Sequence, residues 1–217
     1  MIDAVSVHVR KLYTTDRQAV RKISCSTAFL DEDSNKIFGN DEMLADILTL
    51  YFTDYEPQSC FVAIREGKVI GYLIGAKDVK VMRKVFNHKI IPQLIIRAVK
   101  ERILSKINTR LFLLRAALGF LKGEFLAPDF SGKYPATLHV NIDRGWRGQG
   151  AGRMLVERYI HFLGENNVKG VHFGTRSEYA MEFFVRLGFA ILRKSKRSYL
   201  RHYLNKKMPY YILGKKI

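Results

Sequence analysis

Four glycines close together are the feature of this chain that most directly suggests chemistry. Gly145, Gly148, Gly150 and Gly152 follow an alternating segment that predicts a strand and lead into a segment, residues 149 to 165, that predicts a helix. Glycine has no Cβ, so a glycine-rich backbone can approach a ligand closely. The first turn of a helix offers free N–H groups and the positive end of the helix dipole. Such a turn favours a phosphate group as its ligand.

The spacing of these glycines separates this turn from two common phosphate-binding turns. A dinucleotide-binding turn requires G-x-G-x-x-G, but Arg153 stands where the third glycine would be. A Walker loop requires Gly-Lys before Ser or Thr, which the sequence lacks. An ordinary glycine-rich turn without a ligand remains the alternative. The residues that are present form R-x-x-G-x-G directly after the strand: Arg147, Gly148, Gln149, Gly150, Ala151 and Gly152.

A second segment adds a pattern of its own. Residues 170 to 175 predict a short strand, and residues 177 to 187 predict a helix that ends at Gly188. The pattern A-x-x-F-F-x-x-x-G-F runs from Ala180 to Phe189. Together with the R-x-x-G-x-G turn, it resembles the two signatures of the GCN5-related N-acetyltransferase (GNAT) superfamily in their expected order. The match covers residues 136 to 189.

The resemblance implies an α/β (α+β) protein with the GNAT fold. Its central sheet is mixed, mostly antiparallel and twisted, has about seven strands and is flanked by helices. We expect one acetyltransferase domain over residues 1 to 217, with a helical, basic insertion over residues 78 to 135 between strands 3 and 4. The length and the 47% hydrophobic content suit one globular domain.

The rest of the chain supplies elements in the order that this fold requires. Alternation predicts a first strand over residues 5 to 12. A hairpin is indicated by Glu66-Gly67-Lys68 between strands 59 to 65 and 69 to 77, and two last strands are predicted over 191 to 197 and 210 to 215. Two capped helices precede the hairpin: residues 16 to 29 after Thr15, and residues 41 to 55 after Asn40.

The insertion has helical periodicity and predicts two helices. One begins after Pro92, and the other, which is apolar, covers residues 110 to 120. The insertion either packs on the sheet and walls the substrate site, or presents a basic amphipathic surface to an anionic membrane or an acidic partner. The first helix begins after Pro92 and aligns four apolar residues on one stripe: Ile96, Val99, Ile103 and Ile107.

The net charge of +17 is concentrated in two segments. Residues 77 to 133 contain 13 basic and 4 acidic residues, and residues 190 to 217 contain 9 basic and no acidic residues. The remainder is close to neutral, so the excess serves a local purpose such as attracting the phosphates of coenzyme A or an acidic acceptor.

The resemblance implies that a primary amine attacks the thioester of acetyl-CoA, or of another acyl-CoA, directly. The R-x-x-G-x-G turn would hold the pyrophosphate through its main chain, with a charge-assisted bond from the Arg147 side chain. The open edge of the fourth strand would align the pantetheine beside the main chain of Val140 and Ile142. One of those N–H groups, near an expected bulge, would stabilise the oxyanion. Ser177 replaces the asparagine that usually contacts the cofactor.

The proton transfers involve side chains. His139 and Asp143 are the candidate bases, and Asn141 is a candidate acceptor contact on the same strand face. His139-Val140-Asn141 also resembles the H-x-D of acetyltransferase-like domains attached to some O-GlcNAcases, with asparagine in place of aspartate. Phe184 occupies the cofactor-contacting position where many family members have the tyrosine that protonates the thiolate. Three other tyrosines are candidates for that role or for acceptor contacts: Tyr179, Tyr210 and Tyr211.

Other functions stay open beside an N-acetyltransferase. The replacement at Phe184 leaves room for a silent acyl-CoA-binding protein, and the basic segments leave room for a module that binds membrane or nucleic acid. The sequence shows no nucleic-acid motif, which disfavours that partner. Cys25 and Cys60 lack metal-ligand spacing, so no metal is expected and both are predicted to be buried and reduced. The N-terminus does not resemble a signal peptide, which predicts a cytoplasmic protein, and many GNAT relatives form homodimers.

Overall fold

The computed structural model describes residues 6 to 205 and 207 to 217. These residues form seven strands and nine α-helices. The strands are β1 (His8–Lys11), β2 (Cys60–Arg65), β3 (Lys68–Ala76), β4 (Thr137–Ile142), β5 (Gly170–Thr175), β6 (Ala190–Arg197) and β7 (Met208–Lys216). The helices are α1 (Arg17–Thr27), α2 (Ser34–Ile37), α3 (Asp41–Leu50), α4 (Val79–Val85), α5 (Ile91–Lys100), α6 (Ile107–Leu121), α7 (Ala151–Glu165), α8 (Glu178–Arg186) and α9 (Arg201–Leu204).

The strands form two antiparallel sheets that meet at one point. The first sheet has the order β1-β2-β3-β4 and the second has the order β5-β7-β6. β4 and β5 are neighbours, but only a single parallel bridge between Ala136 and Val171 joins them. The two strands therefore separate beyond that bridge. The predicted α+β fold, with seven mostly antiparallel strands flanked by helices, is confirmed.

The core lies between the two sheets and α7. Leu155 and Tyr159 of α7 are fully buried against β2, β3 and β4. The buried Tyr159 hydroxyl donates to the main-chain oxygens of Ala76 and Thr137, at 3.2 Å and 2.8 Å, so its burial leaves no polar group unsatisfied. A side chain at Gly75 would meet the Tyr159 ring at 2.4 Å. This close packing fixes α7, and with it the turn before α7, against β3 and β4.

The N-terminal elements correct one prediction and confirm another. Val5 of the predicted first strand lies outside the described residues. A short 3₁₀ turn, Thr14–Asp16, precedes α1, and the Asp16 carboxylate accepts from the Tyr13 N–H at 2.8 Å. The prediction that Thr15 caps the helix is therefore wrong: Thr15 lies inside the 3₁₀ turn, and α1 continues from Asp16 with no side-chain hydrogen bond at its N-cap among the described residues. Asn40 does cap α3, since its side-chain oxygen accepts from the Met43 N–H at 2.8 Å.

The hairpin between β2 and β3 is confirmed. Glu66 and Gly67 have φ of 51° and 71°, as in a tight two-residue turn with both residues left-handed. The last two strands also form a hairpin, and a short helix, α9, interrupts the loop between them.

The insertion contains three helices, and its predicted apolar stripe is wrong. α5 ends at Lys100, and the chain turns at Arg102, which has φ of 49°. Ile103 is buried in that turn, whereas Ile107 begins α6 and is exposed, so the four stripe residues do not share a helix face. α4 has no counterpart among the predicted helices, although the Asp78 carboxylate caps it by accepting from the Lys80 N–H at 2.7 Å. No helix in the described part of the chain is both long and apolar enough to cross a bilayer.

Candidate functional site

The turn between β4 and α7 presents a row of main-chain donors. Gly148 and Gly150 have φ of 79° and 83°, which only glycine adopts readily. From Arg147 to Arg153, seven consecutive N–H groups have no hydrogen-bond acceptor among the described residues. A Cβ at Gly148 or Gly150 would face open space. Free donors, a helix N-terminus and an open surface are features that favour an anion as ligand.

The Arg147 side chain connects this turn to the loop after α1. Its two terminal nitrogens donate to the two carboxylate oxygens of Asp31 at 2.6 Å and 2.7 Å, and Nε donates to the Ile142 oxygen at 3.1 Å. The Asp31 pKa is lowered, chiefly by the hydrogen bonds from Arg147. Arg144 also donates to the Asp31 main-chain oxygen at 2.8 Å. Three of the five N–H groups of Arg147 are thus engaged, which leaves two for the predicted bond to phosphate.

The free edge of β4 lies beside this turn. The Asp143 N–H donates to the Ile70 oxygen of β3, whereas the Ala136 N–H donates to the Gly170 oxygen of β5. Main-chain groups alternate in direction along a strand, so those of Val140 and Ile142 point away from β3, as Ala136 does. The register between β3 and β4 is uninterrupted from Thr137 to Ile142, so the expected bulge in β4 is wrong. The Val140 N–H needs no bulge to face the gap between the strands.

The face of β4 toward α1 carries polar side chains. Asn141 donates to the Tyr72 hydroxyl at 2.8 Å and lies 3.3 Å from Nε2 of His139. His139 is half-buried, and its ring packs edge-on against Tyr72 with centroids 6.0 Å apart. Burial, helped by the positive charge of Arg176, lowers the His139 pKa to about 4. Burial also raises the Tyr72 pKa to about 12. At neutral pH both side chains are therefore uncharged.

Arg176 directly follows the end of β5. One terminal nitrogen donates to the Tyr199 hydroxyl at 2.6 Å, and the other donates to the Ala28 oxygen at 2.6 Å. Arg176 therefore joins three segments: the end of β5, the end of α1 and the loop after β6. Within the described residues no carboxylate pairs with this half-buried guanidinium. Its uncompensated charge lies close enough to His139 to lower the pKa of that ring.

Asp143 and Tyr179 lie at the mouth of the site and are exposed. Both groups lie near Arg147, whose pKa is raised, chiefly by its hydrogen bonds to Asp31. Asp143 also lines a groove of about 620 Å³ between α1, the loop after it and the start of α3. A larger groove of about 750 Å³ lies between the β1–α1 segment and the segment that follows α3, and none of the predicted site residues lines it.

Two predicted cofactor contacts on α8 have structural partners. The Ser177 hydroxyl oxygen caps α8 by accepting from the Ala180 N–H at 3.1 Å. Phe184 is only 2% exposed, and its ring packs 4.4 Å from the Phe173 centroid and 5.1 Å from that of Phe189. The expected contact between the side chain at position 184 and the cofactor therefore stays a prediction. The Phe184 ring belongs to the core.

Tyr210 and Tyr211 are neighbours on β7, so their side chains point to opposite faces of the sheet. Tyr210 covers Gly174 of β5, where a Cβ would lie 2.0 Å from its hydroxyl, and Arg197 lies 3.5 Å above its ring. The Tyr211 hydroxyl donates to Glu178 at 3.3 Å, on the side of α8. The structure thus separates the two predicted substrate contacts.

Three residues that shape the site were not predicted from the sequence: Arg176, Asp31 and Tyr72. Arg176 directly follows a predicted strand, a position that could have marked it. Asp31 gave no signal, because its partner Arg147 is far away in the sequence. Tyr72 lies in an apolar strand and is distinguished only by its contact with Asn141.

The family model described as Acetyltransferase (GNAT) family matches residues 27 to 189 of the chain. No curated protein sequence matches it. A crystal structure of SsHAT is similar, with a TM-score of 0.73 and 24% identity over 97% of this chain and 98% of that one.

Two further structures share the fold at lower identity. The polyamine N-acetyltransferase of Drosophila melanogaster, an enzyme that forms N-acetylagmatine, has a TM-score of 0.58 and 14% identity over 98% of this chain and all of that one. The yncA protein of Salmonella typhimurium, solved with acetyl-CoA, has a TM-score of 0.59 and 13% identity over 97% of this chain and 93% of that one.

Proposed function

The chain belongs to the GNAT family of acetyltransferases, and from that premise we propose that it transfers an acetyl group from acetyl-CoA to a primary amine. The proposal rests chiefly on the seven free N–H groups of the β4–α7 turn. A pyrophosphate matches these donors because it needs several hydrogen bonds and favours the positive end of a helix. The solved complex of yncA with acetyl-CoA supports the same choice of cofactor.

The chain's own residues would bind and orient the two reactants. Acetyl-CoA supplies the acetyl thioester that a neutral amine attacks. The main chain of Gly148 and Gly150 would hold the phosphates, and the free edge of β4 would align the pantetheine. The Val140 N–H would donate to the carbonyl oxygen as that oxygen gains negative charge. Positioning of this kind accounts for a large share of the rate enhancement in reactions between two bound substrates.

Proton removal is the weaker part of the site. A base with a pKa of about 4, as at His139, has little tendency to take a proton from an ammonium group. Asp143, the other candidate base, is exposed at the mouth of the site beside Arg147. We therefore propose that the acceptor enters as the neutral amine, with Asn141 and the neutral His139 acting as hydrogen-bonding contacts. A thiolate with a cysteine-like pKa can leave without an acid, and Tyr179 is the remaining nearby donor.

Arg176 narrows the class of acceptor. A half-buried cation without a carboxylate partner is costly unless a ligand compensates its charge. A carboxylate or phosphate on the acceptor would do so, and the same cation would disfavour protonation of a nearby amine. We propose an amine acceptor that also carries an anionic group. The Drosophila enzyme, by contrast, forms N-acetylagmatine.

The test combines two measurements on the same protein. Calorimetry with acetyl-CoA measures cofactor binding, and release of free thiol in the presence of an amine panel measures transfer. The panel pairs each amino acid with its amide, which lacks the carboxylate. We expect saturable binding, thiol release, and a KM for the amino acid about tenfold lower than for its amide. Transfer without that preference would overturn the anionic acceptor but leave the enzyme.

A silent acyl-CoA binder is the second candidate, favoured by the low His139 pKa and by the burial of Phe184. It predicts saturable acetyl-CoA binding with no thiol release for any amine. Absence of binding would refute both candidates.

A further inference from the structure

The insertion exposes an unusual number of large apolar side chains. Twelve of the twenty strongly exposed large apolar residues in the described part of the chain lie between Ile91 and Leu126, about one-sixth of the sequence. We define the insertion face by nine of them: Ile95, Ile96, Val99, Ile107, Leu114, Leu118, Phe120, Leu121 and Leu126. Single exposed apolar residues are normal, whereas a concentration of them marks an interaction surface.

The geometry of α6 explains why these side chains are not buried. α6 packs on the rest of the protein through Thr109, Phe112 and Gly119. Its opposite side carries an apolar stripe with the spacing of one helix face: Ile107, Leu111, Leu114, Leu118 and Leu121. The helix is thus apolar on the side that the protein does not cover. α5 behaves similarly, since Leu94 and Ala98 pack inward while Ile95, Ile96 and Val99 are exposed.

The fold also brings the two basic segments of the chain into contact, on the covered side of α6 and just after its end. The Arg197 guanidinium lies 4.6 Å above the Phe125 ring, and the Ser198 N–H donates to Glu124 at 2.7 Å. Arg115 of α6 lies 4.9 Å above the Tyr203 ring of α9. The segments that hold the excess positive charge, residues 77 to 133 and 190 to 217, are therefore in contact. The segment that carries the insertion face, residues 77 to 133, is itself strongly basic, with 13 basic and 4 acidic residues.

We propose that the insertion face docks on an anionic lipid surface. Apolar side chains enter the boundary between headgroups and acyl chains, while Lys and Arg beside them pair with the lipid phosphates. The two contributions reinforce each other because an anionic membrane supplies both an apolar layer and a negative potential. A protein attached in this way lies on the bilayer and does not span it.

The charge and the shape of the face favour a membrane over other occupants. A second copy would place two strongly basic segments against each other, and the like charges would repel. The two most exposed side chains of the face, Leu121 at 80% and Leu126 at 69%, protrude at the end of α6 and just after it, next to Phe120 at 65%. A deformable layer accommodates protruding side chains without a matching pocket, whereas an acidic protein would need one.

Co-sedimentation of the full chain with vesicles tests the proposal. We expect binding to vesicles of phosphatidylcholine with phosphatidylglycerol, much weaker binding to pure phosphatidylcholine, and loss of binding at high salt. The double variant Phe120→Ser/Leu121→Ser should bind the anionic vesicles at least about tenfold more weakly. The matched control, Val185→Ser/Ile217→Ser, changes two exposed apolar residues outside the insertion face and should bind like the wild type.

The remaining outcomes are decisive against the proposal. No binding to anionic vesicles overturns it, and so does equal binding by the Phe120→Ser/Leu121→Ser variant, which would show attraction by charge alone. Light scattering measures the mass of each variant in solution. A wild-type dimer that the double variant converts to a monomer, without vesicle binding, would assign the face to a second copy. Circular dichroism verifies that both double variants are folded.

Discussion

The free edge of β4 and its α1-facing side offer two different kinds of chemistry within one strand. The edge presents main-chain groups, continued by the seven free N–H groups after it. The α1-facing side presents the side chains of His139 and Asn141, with Tyr72 and Arg176 around them. Recognition by main-chain groups depends on the backbone conformation. Chemistry on the α1-facing side depends on the pKa values of His139 and Tyr72, which burial has shifted. In the proposed function, the main-chain half would bind its ligand without rearrangement, and the side-chain half would require an acceptor whose nitrogen is uncharged.

Gly150→Val tests the main-chain donors of the β4–α7 turn and should have the largest effect of these variants. A β-branched residue does not adopt φ of 83°, so the N–H groups around position 150 would turn away from a common point. We expect acetyl-CoA affinity to fall at least about a hundredfold, measured by calorimetry.

Gly123→Val is the matched control, because Gly123 has φ of 71° but lies after α6, outside the turn. It should lose a similar amount of stability and retain acetyl-CoA affinity. Equal loss of affinity in both variants would mean that general strain, and not the turn, explains the effect.

The pH dependence of the rate tests the α1-facing side. The His139 pKa of about 4 means that this ring is already neutral throughout the working range and gives no inflection near pH 6 to 7. If the acceptor reacts as the neutral amine, kcat/KM should rise about tenfold per pH unit from pH 7 to 9 for an amine with a lysine-like pKa. A plateau that begins near pH 7 would instead identify a working base in the protein.

The His139 ring should also have a smaller effect, on the stability of the protein in acid. Folding lowers the His139 pKa from 6.5 to about 4, so the folded state resists protonation. The contribution is fully present above pH 6.5 and is lost as the pH falls from 6.5 to 4, because the unfolded chain takes up the proton first. Partial exposure of the ring limits the loss to roughly 2 kcal/mol.

His139→Gln removes this titration while keeping a hydrogen-bonding side chain. Chemical unfolding at several pH values should show a flatter decline between pH 6.5 and 4 than in the wild type. An unchanged decline would assign the acid sensitivity to other groups, of which His172 is one, since burial lowers its pKa as well.

Phe184→Tyr should have the smallest effect. The motif suggests that a tyrosine at this position protonates the thiolate, whereas the burial of Phe184 predicts that it would not. The hydroxyl would enter a core formed with Phe173 and Phe189, so we expect a loss of about 1–2 kcal/mol in unfolding free energy. Turnover should change less than about twofold, because one acid catalyst would be worth about a hundredfold if the hydroxyl reached the sulfur. The companion Tyr179→Phe shows whether the exposed phenol on α8 already acts as the acid. A hundredfold rise in turnover for Phe184→Tyr would contradict the burial of this position.

Local signals were predictable from the sequence, and contacts between distant residues were not. The conformations of Gly148 and Gly150 and the Asn40 cap follow from neighbouring residues, so their spacing was sufficient. The Arg147–Asp31 pair joins residues more than a hundred positions apart, which periodicity cannot detect. The motif located Phe184 on α8, but the direction of its ring depends on packing against Phe173.

The insertion shows the same limit at the level of whole elements. Its helices were predicted, but neither glycine nor proline marks the break at Arg102, where the chain adopts a left-handed conformation. The stripe that joined Ile103 to Ile107 was wrong for that reason.

The free edge of β4 has a further consequence for the handling of this protein. A strand edge with unpaired main-chain groups is a template on which another chain can add, and such edges promote aggregation. Between the Ala136 bridge and the Ile142 oxygen, which Arg147 covers, the edge at Val140 has no neighbouring strand within the described chain. A ligand aligned there acts as a substitute strand. We therefore expect acetyl-CoA to protect the protein from self-association as well as to serve as its substrate.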